Sequence, residues 1–230
     1  MSQSIDQAVI LSAGLGTRMA DLTVNLPKPM LPYKDKPLVE HQLLWLKEWG
    51  IEEFFINLYY LPEKVMEYLG DGDRFGVKIH YNIEKELLGT GGAYLAFREK
   101  LSRHFIAVNC DVTMRLDLKQ LISFHLNNQN SATMAVYCPH EPMDYSSVRY
   151  SGTRLTDIAG KLGKAGEEGI FTGLQVLSDE IFTYLPQGIS SIISAFYLPA
   201  LEKNKRIGAF TEIDTWVDLG TKALYEKRVR

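Results

Sequence analysis

Ala8-Val9-Ile10-Leu11-Ser12-Ala13-Gly14-Leu15-Gly16-Thr17-Arg18, followed by Leu26-Pro27-Lys28-Pro29-Met30-Leu31-Pro32, is an apolar run that stops in a glycine-rich loop. The apolar residues predict a buried strand. The glycines permit a tight turn and a close approach of backbone to ligand. Arg18 ends the loop, and Lys28 stands between two prolines. Arginine presents a planar fork of donors to phosphate oxygens, and lysine acts as a point charge. The block therefore predicts a strand-end cradle for a polyphosphate. Two other phosphate loops are excluded. No Gly-x4-Gly-Lys-Ser/Thr run occurs, and Met19 stands where the dinucleotide pattern needs a third glycine or alanine.

Outward from this loop, apolar clusters alternate with helix-like stretches. The pattern predicts strands over 7–13, 53–57, 77–81, 105–109 and 132–138, and helices over 39–49, 62–69, 91–100 and 118–127. Gly50 and Gly70 stand where helix stops are expected, and Asp117 where an N-cap is. Such alternation implies crossover connections and an α/β, Rossmann-like three-layer fold around a mixed, mainly parallel sheet. Ligands of such sheets gather at the carboxyl ends of the strands. The loops after Ala13 and after Asn109 should thus open on one edge. The second half reads as a small β subdomain. It has a hairpin over 148–158 turning at Ser151-Gly152, a mobile loop over 160–169, a strand over 170–177 and a helical stretch over 191–201. A short strand over 215–217 and a closing helix over 222–228 end the chain. The whole reads as one domain, with a nucleotide half over about 1–140 and a second half over about 141–230.

Bulk properties narrow the class. The chain has 230 residues, 46% of them hydrophobic, which fits a folded domain with a substantial core. Lys and Arg total 25 against 28 Asp and Glu, so no basic excess is present to attract nucleic acid. Cys110 and Cys138 fit no zinc or redox spacing. No signal-like start and no membrane-length apolar run occur, so a cytoplasmic location is expected.

Two acids stand beside hydrophobic strands. Asp111 follows Val108-Asn109-Cys110, and Asp218 lies in Thr215-Trp216-Val217-Asp218-Leu219-Gly220-Thr221. Hard oxygen ligands there suit Mg²⁺ on substrate phosphates. A further segment, Tyr81-Asn82-Ile83-Glu84-Lys85-Glu86-Leu87-Leu88-Gly89-Thr90-Gly91-Gly92-Ala93, sets a strand, a glycine-rich turn and a helix in a row. It reads either as a wrap for a base edge or as a helix start with convenient glycines.

Together, Gly14-Leu-Gly-Thr-Arg18 and Pro27-Lys28-Pro29 resemble the signature of the sugar-1-phosphate nucleotidyltransferases. The resemblance runs from Ala8 to about Thr221. In length and motif style the chain is similar to bacterial muramate-1-phosphate uridylyltransferases and heptose-1-phosphate guanylyltransferases. It implies transfer of a nucleoside monophosphate from an NTP to a sugar 1-phosphate, with release of pyrophosphate. It further implies that Asp111 and Asp218 hold Mg²⁺, with Cys110 replacing the family's usual glycine. Arg18 grips the departing pyrophosphate, Lys28 neutralises charge on the phosphates, and Asp111 completes the catalytic set. Leu11, Ser12, Ala13, Gly14, Gly16 and Thr17 line the nucleotide, and Glu84 and Gly89 match the positions that read the base. An ionised Glu84 accepts but does not donate, so it suits a base presenting N–H groups, which uracil, thymine and guanine all do. Lys161 matches the lysine set against the sugar phosphate, although Gly160 and Leu162 depart from its usual neighbours and Lys164 is a second candidate. Gly173 matches a glycine close to the sugar. The implied partners are the two substrates, with neither nucleic acid nor membrane; the resemblance leaves self-association into a homo-oligomer open. Alternatives are a non-catalytic nucleotide sensor and a nucleotide-sugar glycosyltransferase; the latter would need an Asp-x-Asp pair where Asn109-Cys110-Asp111 stands.

Overall fold

The computed structural model describes residues 5–139, 141 and 145–229. Residues 1–4, the start of the segment read above for a signal, lie outside the described residues, as does residue 140, where the chain was expected to divide. The first apolar run forms β1 (Gln7–Leu11). A small ribbon of β2 (Pro32–Tyr33) and β3 (Lys36–Pro37) precedes α1 (Leu38–Glu48). Then come β4 (Glu53–Leu58), α2 (Pro62–Leu69), β5 (Lys78–Ile83), α3 (Gly89–Leu95) and β6 (His104–Asn109). They are followed by β7 (Val112–Arg115), α4 (Leu118–Asn127), β8 (Ala132–Tyr137), β9 (Ser147–Ser151), β10 (Arg154–Ile158) and β11 (Glu167–Ser178). The chain closes with α5 (Leu198–Glu202), β12 (Ile207–Phe210), β13 (Thr215–Asp218) and α6 (Lys222–Val229).

The main sheet has the order β5-β4-β1-β6-β11-β8-β12-β10-β9. It is mixed, as the alternating pattern implied. β5, β4, β1 and β6 run parallel, and β11 enters antiparallel to β6. Alternation along each central strand explains the three layers. Ala8, Ile10, Phe54, Ile56, Ile106 and Val108 face one core with Val39, Leu43, Val65, Leu118 and Leu121 of α1, α2 and α4. Val9, Phe55, Phe105 and Ala107 face the other with Tyr94, Phe196, Tyr197 and Leu201. Beyond β6, the strands β11, β8, β12, β10 and β9 pair in sequence, and β9 pairs back to β11, so the pairings close a circuit. Apart from β8, these strands come from the chain's second half. No helix among the described residues is long and apolar enough to cross a membrane.

Three of the expected stretches are adjusted by the fold. The helical stretch expected over 191–201 forms without a break, a π turn (Ile193–Tyr197) running directly into α5 at the point where Pro199 has no N–H for the ladder. The expected loop over 160–169 ends early. Its last three residues belong to β11, where Glu167 pairs with Tyr150, a partner that only the fold supplies. The helix expected over 91–100 begins at Gly89 and stops at Leu95.

Candidate active site

β1 lies between β4 and β6, and the chain order reverses there, which opens a crevice at the strand ends. At the level of Leu11 the sheet turns from apolar to polar. Leu11 stands beside Asn57 on one side and Asn109 on the other, and Asn57 stands beside Asn82. Apolar strands ending in asparagine were legible in the sequence, but their alignment on one edge was not.

Ser12 N–H donates to Asn57 Oδ1 (2.9 Å), and Asn57 Nδ2 donates to Glu84 Oε1 (2.8 Å). Glu84 Oε2 accepts from Leu88 N–H (2.9 Å). A buried relay thus ties the loop after β1 to the turn before α3. Both Glu84 oxygens take an internal donor, a role that the sequence did not disclose. The glycines of that turn also answer to packing. A Cβ at Gly89 would fall 2.5 Å from the Ser190 carbonyl oxygen, and Gly91 N–H donates to that same oxygen (2.8 Å).

In the first loop the two glycines differ. Gly16 has φ +68°, where L residues are strained, and its carbonyl accepts from Thr23 Oγ1 (3.0 Å). Gly14 has ordinary φ, and a Cβ there would meet nothing within 4 Å. The space beside Gly14 is open, and no internal packing requires a glycine there. Thr17 and Arg18 follow in an exposed 3₁₀ turn. Lys28 sits in a second such turn, braced by Pro27 and Pro29, with its side chain buried.

The two acids meet through a ribbon. β7 pairs antiparallel with β13 so that Val112 stands opposite Asp218, and Leu219 N–H donates to the Asp111 carbonyl oxygen (2.8 Å). This puts the Asp111 and Asp218 side chains around Gly220. Lys28 Nζ makes an ion pair with Asp111 and donates to the Gly220 carbonyl oxygen (3.3 Å). Asp218 Oδ1 accepts from Gly220 N–H (2.6 Å), and Oδ2 accepts from the Tyr145 hydroxyl (3.0 Å). A Cβ added at Gly220 would lie 2.7 Å from Asp218 Oδ1, 3.0 Å from Asp111 Oδ2 and 3.5 Å from Lys28 Nζ. One small space is therefore addressed by both carboxylates. Two carboxylates directed at one space are hard oxygen donors that suit a hard divalent cation, so the donor set fits.

Cys110 causes no crowding where a glycine was the usual residue. It is buried in the core, its backbone needs no positive φ, and burial pushes its thiol up to about 12. Tyr145 and Gly220 are the site residues that the sequence reading did not single out. Burial and the Asp218 charge push the Tyr145 phenol up to about 12. Trp216 donates Nε1–H to the Thr172 carbonyl oxygen (2.9 Å), beside Gly173. Gly173 has φ +86°, and a Cβ there would come 2.8 Å from Asn109 Nδ2. The two halves of the sheet approach closely at this point.

Lys161 is exposed in the turn after β10. Among the described residues its ammonium has no hydrogen-bond or ion-pair partner. Lys164 Nζ is engaged by the Leu201 carbonyl oxygen (3.1 Å).

A family model described as nucleotidyl transferase matches residues 7–229. The chain is 30% identical over 225 residues to the D-glycero-alpha-D-manno-heptose 1-phosphate guanylyltransferase of Aneurinibacillus thermoaerophilus, covering 96% of each. It is 31% identical over 218 residues to the mannose-1-phosphate guanylyltransferase of Mycobacterium tuberculosis, covering 93% of this chain but only 61% of that relative. The chain spans about six tenths of the length of several curated relatives. The crystal structure of HddC from Yersinia pseudotuberculosis superimposes with a TM-score of 0.81 at 26% identity, covering 98% of both chains. A second structure of that protein is complexed with GMP-PN.

Proposed function

The chain belongs to the nucleotidyl transferase family, and from that premise we propose that it transfers a nucleoside monophosphate from an NTP to a sugar 1-phosphate. The observation that carries the proposal is the meeting of Lys28, Asp111 and Asp218 around Gly220, at the strand ends where the glycine loop opens. Relatives that act on sugar 1-phosphates support the substrate class.

In the proposed reaction a phosphate oxygen of the sugar 1-phosphate attacks the α-phosphorus of the NTP. The new P–O bond forms as the bond to the bridging oxygen of the β-phosphate breaks, and pyrophosphate leaves with that electron pair. The attacking phosphate has a second pKa of about 6, by analogy with phosphorylated side chains, so it is already an anion and needs no protein base. Catalysis then reduces to placement and charge neutralisation. Asp111 and Asp218 would hold Mg²⁺, which supplies charge stabilisation at the α-phosphate when bound. Lys28, already seated against Asp111, is the internal cation that turns to the phosphates. Arg18 holds the departing pyrophosphate. Leu11, Ser12, Ala13, Gly14, Gly16 and Thr17 offer backbone to the nucleotide, and the open space beside Gly14 supports this reading. Each Glu84 oxygen keeps a second lone pair for a base N–H, and its internal bonds fix where that pair points. Gly89 holds the turn beside it. On the sugar side, Lys161 is preferred over Lys164, whose ammonium already has a partner. Gly173 lies where the sugar half meets β6.

The test is pyrophosphate release with each of GTP, UTP, dTTP and CTP against a panel of sugar 1-phosphates, with Mg²⁺. GTP with a heptose or mannose 1-phosphate comes first, since relatives of that chemistry align over nearly the whole chain. Absence of metal-dependent pyrophosphate release across the full panel would sink the proposal.

A further inference from the structure

Asp218 is held by a residue 73 positions away in the chain, outside the β7–β13 ribbon. Its Oδ1 is fixed by Gly220 N–H, two residues along its own loop (2.6 Å). Its Oδ2 is fixed by the hydroxyl of Tyr145, which precedes β9 (3.0 Å). The Tyr145 ring is itself held edge-on against Trp216, with ring centres 5.0 Å apart at 68°. The Trp216 indole is anchored to the Thr172 carbonyl oxygen (2.9 Å), and the Tyr137 ring also packs against it, with centres 6.0 Å apart. The chain of contacts runs from β11 through an aromatic pair to one carboxylate oxygen.

We propose that Tyr145 is the positioning residue for Asp218, and that its hydroxyl sets the carboxylate orientation in which Asp218 and Asp111 address one divalent cation. This rests on the proposed metal role of the two acids. A carboxylate clamped at one oxygen can still swing its other oxygen about χ2. A second donor on that oxygen removes the swing and leaves one lone pair on each oxygen for the ion. Partners that orient metal ligands in this way typically carry about 10- to 100-fold in metal affinity or activity. The hydroxyl is the part that matters, since the ring alone already packs on Trp216.

Tyr145→Phe keeps the ring and removes the hydroxyl. Mn²⁺ binding to the free protein, followed by electron paramagnetic resonance, should weaken by about tenfold or more. The thermal midpoint should stay within a degree or two of the parent, because the aromatic packing is intact. In pyrophosphate release the Mn²⁺ concentration for half-maximal rate should rise by the same factor, with the rate at saturating metal largely restored. A merely structural tyrosine would shift the midpoint and leave the metal curve in place. Asp218→Asn separates the two ideas. If it abolishes Mn²⁺ binding while Tyr145→Phe binds as the parent does, the positioning role is overturned and the metal role of Asp218 stands. If Asp218→Asn binds Mn²⁺ normally, the metal role falls and the positioning role falls with it. Should Tyr145→Phe not fold, Trp216→Phe keeps the hydroxyl but frees its anchor. An intermediate weakening is then expected, and unchanged binding would overturn the inference.

Discussion

Gly220→Ala adds a single methyl group at the point where both acids and Lys28 converge. Gly220 has no positive φ, so alanine is not strained by its backbone. The methyl would stand 2.7 Å from Asp218 Oδ1 and 3.0 Å from Asp111 Oδ2, against an ordinary contact of at least 3.4 Å. Asp218 must therefore retreat by about 0.7 Å (3.4 − 2.7) and Asp111 by about 0.4 Å (3.4 − 3.0). Both displacements push the carboxylates away from their shared space, and no charge is lost. Misplacement by about 1 Å at a reacting centre costs on the order of 100-fold. The expected loss in kcat/KM is thus about 30- to 100-fold, or roughly 2–3 kcal/mol of transition-state stabilisation. The assay is pyrophosphate release across a Mg²⁺ titration, with a thermal melt alongside. The melt should move little and the metal curve should shift to higher concentration. A folded Gly220→Ala protein with parental turnover and parental metal dependence would refute the convergence argument.

Further outcomes follow from the same geometry. Gly14→Ala should leave the melt unchanged, since the new methyl meets nothing inside the protein, yet raise the KM for NTP; an unchanged KM would remove Gly14 from the phosphate loop. Lys161→Ala should raise the KM for sugar 1-phosphate, whereas Lys164→Ala should act on the melt through its lost bond to Leu201; the reverse pattern would exchange their roles. On the acid side, burial pushes the His125 imidazole down to about 3 from an ordinary 6.5. The unfolded chain therefore binds a proton there that the folded one does not. The stability this group contributes is complete above about pH 6.5 and is lost as the pH falls toward 3. The thermal midpoint should fall between pH 6.5 and 4.5, and less steeply in His125→Gln; parallel slopes would show that His125 is not the source. Glu53, held down at about 2 by His80, Gln7 and Lys78 against the opposing effect of burial, adds its own loss only below about pH 4.5, so the two windows separate.

Local chemistry made much of this molecule legible. The run into Gly14 read as a buried strand feeding a tight turn, and Lys28 between prolines read as a positive charge beside that loop. Asp111 and Asp218 were each readable as strand-end acids, because an apolar strand followed by a carboxylate is a local pattern. Other features depend on partners distant in the chain. β7 and β13 are short segments with weak signals of their own. Each exists because the other completes its hydrogen bonds, and their register alone turns two separate acids toward Gly220. Tyr145 carried no signal, since a tyrosine near a turn is unremarkable until Asp218 arrives beside it. Glu84 was visible as a polar residue after a strand, but its partner Asn57 was brought beside it by the parallel pairing of β4 with β5, while Leu88 reaches it within the local turn. The sequence by itself determined which residues bear charge and where the backbone must bend, because those follow from side-chain chemistry and φ. Only the tertiary structure decided which of them share one space, because strand pairing across long loops is set by the packing of the whole core.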